Sequence, residues 1–149
     1  MQYMKKNILV LLLTILCQIA SAQTAKINLS ILPESFAICR FDNTTKVPLW
    51  VFKSSFYSIN KTADELSIVC DQTFVPADVK KVENWRAFKI EGPLDFSLTG
   101  IIASLSKPLA DNKIPIFVVS TYDTDYILVQ SLYFSKAKDV LRAETILKE

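Results

Sequence analysis

The stretch Val119-Ser120-Thr121-Tyr122-Asp123-Thr124-Asp125-Tyr126-Ile127-Leu128-Val129 decides the fold. Ile114 to Thr121 is β-branched and apolar, Tyr126 to Gln130 alternates, and Tyr122-Asp123-Thr124 between them is turn chemistry, so the spacing predicts a hairpin. An earlier stretch repeats it at a period of roughly 60 residues. Tyr57-Ser58-Ile59-Asn60-Lys61-Thr62, the acidic Glu65 and Leu66-Ser67-Ile68-Val69 follow the same order of types. Two hairpins, each followed by a short helical segment, predict two similar units.

Outward from the hairpins, the remaining elements follow from periodicity and punctuation. Ile27 to Ile31 alternates as a half-buried edge strand does, and Pro33 stops it. Phe36 to Phe41 reads as a second strand and Asp42-Asn43-Thr44-Thr45 as a turn. Pro48-Leu49-Trp50-Val51-Phe52 reads as a short helical turn started by proline. Phe56 to Asn60 and Leu66 to Asp71 are the arms of the first hairpin. Pro76 to Glu83 reads as a short helix with Lys80-Lys81 on its solvated face, and Trp85 to Glu91 as a strand. Beyond the Gly92-Pro93 break, Leu98, Ile101, Ile102, Leu105 and Leu109 form one stripe of a helix starting near Asp95. Pro108 and Asp111-Asn112 close that helix. Phe134, Ala137, Val140 and Leu141 mark a last helix to about Ala143. The expected architecture is α+β: two units of strand, helix, strand, strand, helix, with a further strand shared and helices on one sheet face.

Composition excludes most chemistry. The 149 residues contain no His and only two Gly, Gly92 and Gly100. Histidine-based triads, His-bearing zinc sites and glycine-rich phosphate loops are therefore out. Asp64-Glu65 and Asp123/Asp125 are too few and too local for a glycosidase pair or a metal site. The chain reads as non-catalytic, with no cofactor and no metal. A formal charge of +2 without a basic run argues against nucleic acid. Residues 1–22 read as a cleaved export signal: Lys5-Lys6, the apolar Ile8–Leu16 run, and Ala20-Ser21-Ala22 before Gln23. The run is far short of the roughly 20 residues that span a bilayer, so the exported chain, periplasmic or secreted, carries no membrane span. Its 15 basic and 15 acidic residues balance. Cys39 and Cys70 remain; export admits a disulfide, whereas their apolar strand context favours two core thiols.

Four segments carry a resemblance: Phe36-Ala37-Ile38-Cys39-Arg40, Glu65-Leu66-Ser67-Ile68-Val69-Cys70, Gly92-Pro93-Leu94-Asp95-Phe96-Ser97-Leu98-Thr99-Gly100-Ile101, and Ser120-Thr121-Tyr122-Asp123-Thr124-Asp125-Tyr126-Ile127-Leu128-Val129. Together they resemble the tandem ACT-domain proteins, which are similar to the ACT repeats of the CASTOR arginine sensors. The resemblance spans about Leu29 to Ala143. It implies two ferredoxin-like βαββαβ units, a degenerate one over 23–84 and a more regular one over 85–149. It also implies side-by-side pairing, as a homodimer, and an amino acid held at an ACT–ACT interface. The implied pocket lies between the start of the Asp95–Leu105 helix, the Thr121–Asp125 hairpin and a neighbouring unit's edge strand. Its candidate residues are Asp95, Ile102, Thr121, Tyr122 and Asp125, with Pro115 and Ile116 as the edge that a partner contributes. Asp125 offers a charge for an ammonium or guanidinium, yet it is equally a turn residue; for Asp95, helix capping is the simpler reading. The alternative function is a structural or protein-interaction module of the same fold without a ligand.

Overall fold

The computed structural model describes residues 26–148. The export signal and the proposed cleavage point lie outside the described residues. Among the described residues eight strands form one sheet: β1 (Ile27–Ile31), β2 (Phe36–Phe41), β3 (Tyr57–Lys61), β4 (Leu66–Asp71), β5 (Lys81–Ile90), β6 (Ile116–Ser120), β7 (Asp125–Gln130) and β8 (Thr145–Lys148). Among the described residues, two α-helices, α1 (Ile101–Asp111) and α2 (Ser131–Leu141), and two 3₁₀ turns, Leu49–Lys53 and Gln72–Phe74, accompany the sheet.

The strands run in the order β3-β4-β2-β5-β1-β8, with β7 on the other edge of β5 and β6 beyond β7. The long β5 joins the halves. Its first residues pair with β2, its last with β1, and its other edge with β7. Thus β2, β3, β4 and β5 form one ferredoxin-like order, in which the helices have shrunk to 3₁₀ turns. The second set is β5, α1, β6, β7, α2, β8, with β1 inserted between β5 and β8.

Several expectations are corrected. β1 is not an edge strand: it is antiparallel to β5 and parallel to β8, which explains why Leu29 is fully buried. No helix spans Pro76–Glu83; β5 begins at Lys81, because pairing with Cys39 and Ile38 overrides the helical reading of a proline start. Lys81 is accordingly no solvated helix residue. Its ammonium donates to the Pro76 carbonyl at 2.7 Å. The first helix begins at Ile101, not near Asp95, and runs through Pro108 to Asp111. After the proline, Asn112 closes the helix by donating from backbone and side chain to the Pro108 carbonyl. Full burial of Leu105 and Leu109 holds that last turn on the sheet, each worth about 1.5–3 kcal/mol. Cys39 and Cys70 are free thiols, both buried.

The sheet curls. Asn84 has φ 65° inside β5, and the β2–β5 register shifts between Phe36 and Ile38. This bulge puts Lys81 and Trp85 on opposite faces although they are four residues apart. Gln72 Oε1 accepts from Asn84 N, and Ser131 Oγ donates to the Asn84 carbonyl. Under α1 and α2 lies one buried cluster that includes Leu29, Phe88, Ile90, Ile127 and Val129. A second, including Ala37, Cys39, Val51, Ile68 and Cys70, lies under the 3₁₀ turns. On the opposite face, Phe36 and Val69 of the first half share a third cluster with Trp85, Val119 and Leu128. Phe56 fastens that face, its ring 5.5 Å from Phe36 and 4.4 Å from Tyr126.

Candidate functional site

Between β5 and α1 the chain crosses the end of the sheet as a strap, residues 92–100, whose side chains are mostly exposed. One bond ties its middle to the hairpin, Leu94 N to the Asp123 carbonyl at 2.8 Å. Gly92 permits this approach: a Cβ there would lie 2.5 Å from that carbonyl, so a side chain would push strap and hairpin apart.

The β6–β7 hairpin tip is fixed from within. Thr121 N and Thr121 Oγ1 both donate to the Thr124 carbonyl at 2.8 Å, and Thr124 N returns a bond to Thr121 Oγ1 at 3.2 Å. The buried Thr124 hydroxyl donates to the Ile90 carbonyl, anchoring the tip to the end of β5. Thr121 is thus partnered inside its own turn. Asp125 opens β7 opposite Ser120 and is half-buried. Its carboxylate has no side-chain partner among the described residues.

Strap, hairpin and α1 enclose an open cavity of about 380 Å³. Asp95, Ile102, Thr121, Tyr122 and Asp125 all line it. Pro115 and Ile116 do not. They sit at the start of β6, where Ile116 pairs with Val129 and packs against the helix-side core. Every lining residue comes from the strap, α1 or the hairpin, so no edge strand of the first half reaches the cavity. Leu94, Phe96 and Thr124 also line it and carry no periodic signal in the sequence; Leu98 lines it as well, from the strap and not from the helical stripe to which its spacing assigned it. The exposed rings of Phe96 and Tyr122 meet edge to face, with centroids 5.1 Å apart, and form a rim. A second cavity of about 740 Å³ lies toward Asn28, Glu91 and Glu144, sharing Leu94, Leu98, Gly100 and Ile101 with the first.

Asp95 does not cap α1. Its carboxylate accepts from Ser97 N at 2.8 Å in a local turn, and the Ser97 side-chain and backbone donors hold its pKa below the ordinary carboxylate value. The N-cap is Gly100 at φ 81°, with no side-chain bond to the helix. Open space surrounds Gly100, so the left-handed backbone, not close packing, accounts for it. The first helical bond runs from Ser104 N to the Gly100 carbonyl. The N–H groups of Ile101, Ile102 and Ala103 therefore lack intrahelical acceptors, at the positive end of the helix dipole. The cavity holds two acidic side chains, Asp95 and Asp125, and no basic one. A ligand carboxylate suits the helix start; a ligand cation suits Asp125. Among the described residues no cluster suits a metal ion, and no helix is long and apolar enough to cross a membrane.

Known proteins resemble this chain in sequence and in fold. The ACT domain family model matches residues 80–143, and a second model, described as an N-terminal domain, matches residues 34–78. The crystal structure of protein Atu0741 from Agobacterium tumefaciens is 40% identical, with a TM-score of 0.77, over 85% of this chain and 96% of that one. The rat cytosolic arginine sensor for mTORC1 subunit 1 is 32% identical over 58% of this chain and 29% of its own. The regulatory subunit of aspartate kinase from Thermus thermophilus shares the fold at 8% identity, with a TM-score of 0.58 over 80% of this chain and 99% of that one. The chain spans 55% and 29% of the length of the curated relatives it matches. With two ferredoxin-like strand orders joined through β5, the segment from β5 to α2 matches the ACT domain family, and the chain belongs to the same family as Atu0741.

Proposed function

We propose that this protein is a non-catalytic module that binds a free amino acid in the cavity between strap, α1 and hairpin. One observation carries the reading: unpaired N–H groups at the start of α1 and the unpartnered Asp125 carboxylate line one cavity. An amino acid brings a carboxylate and an ammonium, the two groups that this arrangement complements. The apolar walls of Leu94, Leu98 and Ile102 leave room for its side chain. A relative named as an arginine sensor supports the ligand class; the acid-lined cavity of this chain supports it independently.

A homodimer belongs to the same reading. Among the described residues β6 pairs only with β7, so its outer edge, beginning at Pro115 and Ile116, is offered to a second copy. Export belongs to it too. Mature protein is expected to begin at Gln23, and its mass identifies that N-terminus; intact Met1 on the soluble protein would refute export.

A thermal-shift screen with the twenty amino acids tests the binding. A ligand at about 100 times its Kd stabilises the fold by about 2.7 kcal/mol. We expect one or a few amino acids to raise Tm by several degrees. No shift with any of them would leave the same fold as an interaction module without a small ligand.

A further inference from the structure

An amino acid seated between strap, α1 and hairpin puts its carboxylate on the unpaired N–H groups at the start of α1 and its ammonium on Asp125. The rest of the lining then meets its side chain. The cavity has no basic residue, and Asp95 is the one other charged residue that lines it. Asp95 lies on the exposed strap, with its carboxylate turned onto Ser97 N at 2.8 Å. Water screens a charge in that position, and the carboxylate already holds a donor. The other polar lining side chains are the hydroxyls of Ser120, Thr121, Tyr122 and Thr124. Thr121 and Thr124 donate theirs to the carbonyls of Thr124 and Ile90. Glu91 and Glu144 line the second cavity and not this one.

The apolar lining is more extensive. Leu94, Phe96 and Leu98 come from the strap, Ile101 and Ile102 from the first turn of α1. Phe96 and Leu98 are 77% and 55% exposed. Large apolar side chains exposed at the mouth of a cavity are surface that an apolar ligand removes from water. A charged ligand side chain in the same place loses its water and gains no buried partner of opposite charge.

We infer, on the basis of the amino-acid site proposed above, that the cavity selects an amino acid with an apolar side chain and that Leu98 determines this specificity. The ligand's own two charges use the helix start and Asp125, so the side chain is discriminated by the apolar walls alone. An acidic side chain meets no base and stands near two carboxylates. A basic side chain reaches only Asp95, on the solvent side of the strap. Leu98 is the wall residue best suited to a test, because it is exposed and lies outside the helix-side core that Leu94, Ile101 and Ile102 pack against.

Isothermal calorimetry of the full chain with each of the twenty amino acids reads the selection. We expect leucine, isoleucine, methionine or phenylalanine to bind roughly tenfold or more tighter than any amino acid with a charged or amide side chain. A charged or amide side chain bound as tightly as the best apolar one would overturn the inference and leave the amino-acid site standing. No binding by any of the twenty would overturn that site, and the inference with it. Leu98→Asp should weaken the best apolar ligand by roughly tenfold or more and move the preference toward arginine and lysine. Leu98→Met should keep the wild-type order. An unchanged order in Leu98→Asp, at an unchanged Tm, would overturn the role given to Leu98.

Discussion

Phe88→Ala is expected to lower the unfolding free energy by about 3–5 kcal/mol, the usual cost of removing a buried aromatic ring. Phe88 sits in β5, opposite Ile31 of β1 on one side and Ile127 of β7 on the other. It is fully buried, and its ring stacks on Phe134 of α2 at 5.0 Å. The substitution therefore leaves a void where three strands and a helix meet. The urea midpoint should fall sharply with little change in slope. Leu132→Ala, on the outer face of α2 at 72% exposure, should shift stability by less than about 0.5 kcal/mol. Equal effects from the two would mean that α2 does not pack on β5 as described.

Asp125→Asn is expected to weaken amino-acid binding by roughly ten- to a hundredfold, the equivalent of about 1.5–3 kcal/mol for a contact to a charged group. The change keeps the shape, and Asn is also a good turn residue, so stability should hardly move. Asp123→Asn is the matched control. Asp123 contributes its backbone carbonyl to Leu94 N, which Asn retains, and its exposed side chain is not part of the cavity lining. Isothermal calorimetry separates the two. If both variants bind like the wild type, Asp125 serves the turn alone.

The strands most legible in the sequence were those whose alternation and flanking turns agree. β2 and β4 have the bounds read from Phe36–Phe41 and Leu66–Asp71, and the β6–β7 hairpin lies where its turn residues put it. Non-local pairing was illegible. β8 is four residues long, and its place is set by β1, more than a hundred residues earlier. The same insertion moved β1 from an edge to the interior. β5 starts with Lys81-Val82-Glu83, whose polarity resembles a helix face until the Asn84 bulge is known. Thr121, Tyr122 and Asp125 became candidates through the resemblance, and the hairpin brings them to one cavity. Asp95 was misread as a cap because nothing in the sequence separates an acid that closes a local turn on Ser97 from one that starts a helix. Leu94 and Phe96 lie in irregular chain, where apolar residues have no period to reveal which way they face, and Leu98 kept the helical spacing although the helix begins only at Ile101.

The central claim is that an amino acid binds between the start of α1 and the β6–β7 hairpin. Amide chemical shifts of the isotope-labelled protein, followed as the stabilising amino acid is added, test it most directly. The account predicts saturable shifts concentrated at the amides of Ile101, Ile102 and Ala103 and at Thr121 to Asp125, with Asp125→Asn moving the midpoint to higher concentration. Saturable shifts centred elsewhere, or none with any of the twenty amino acids, would contradict it.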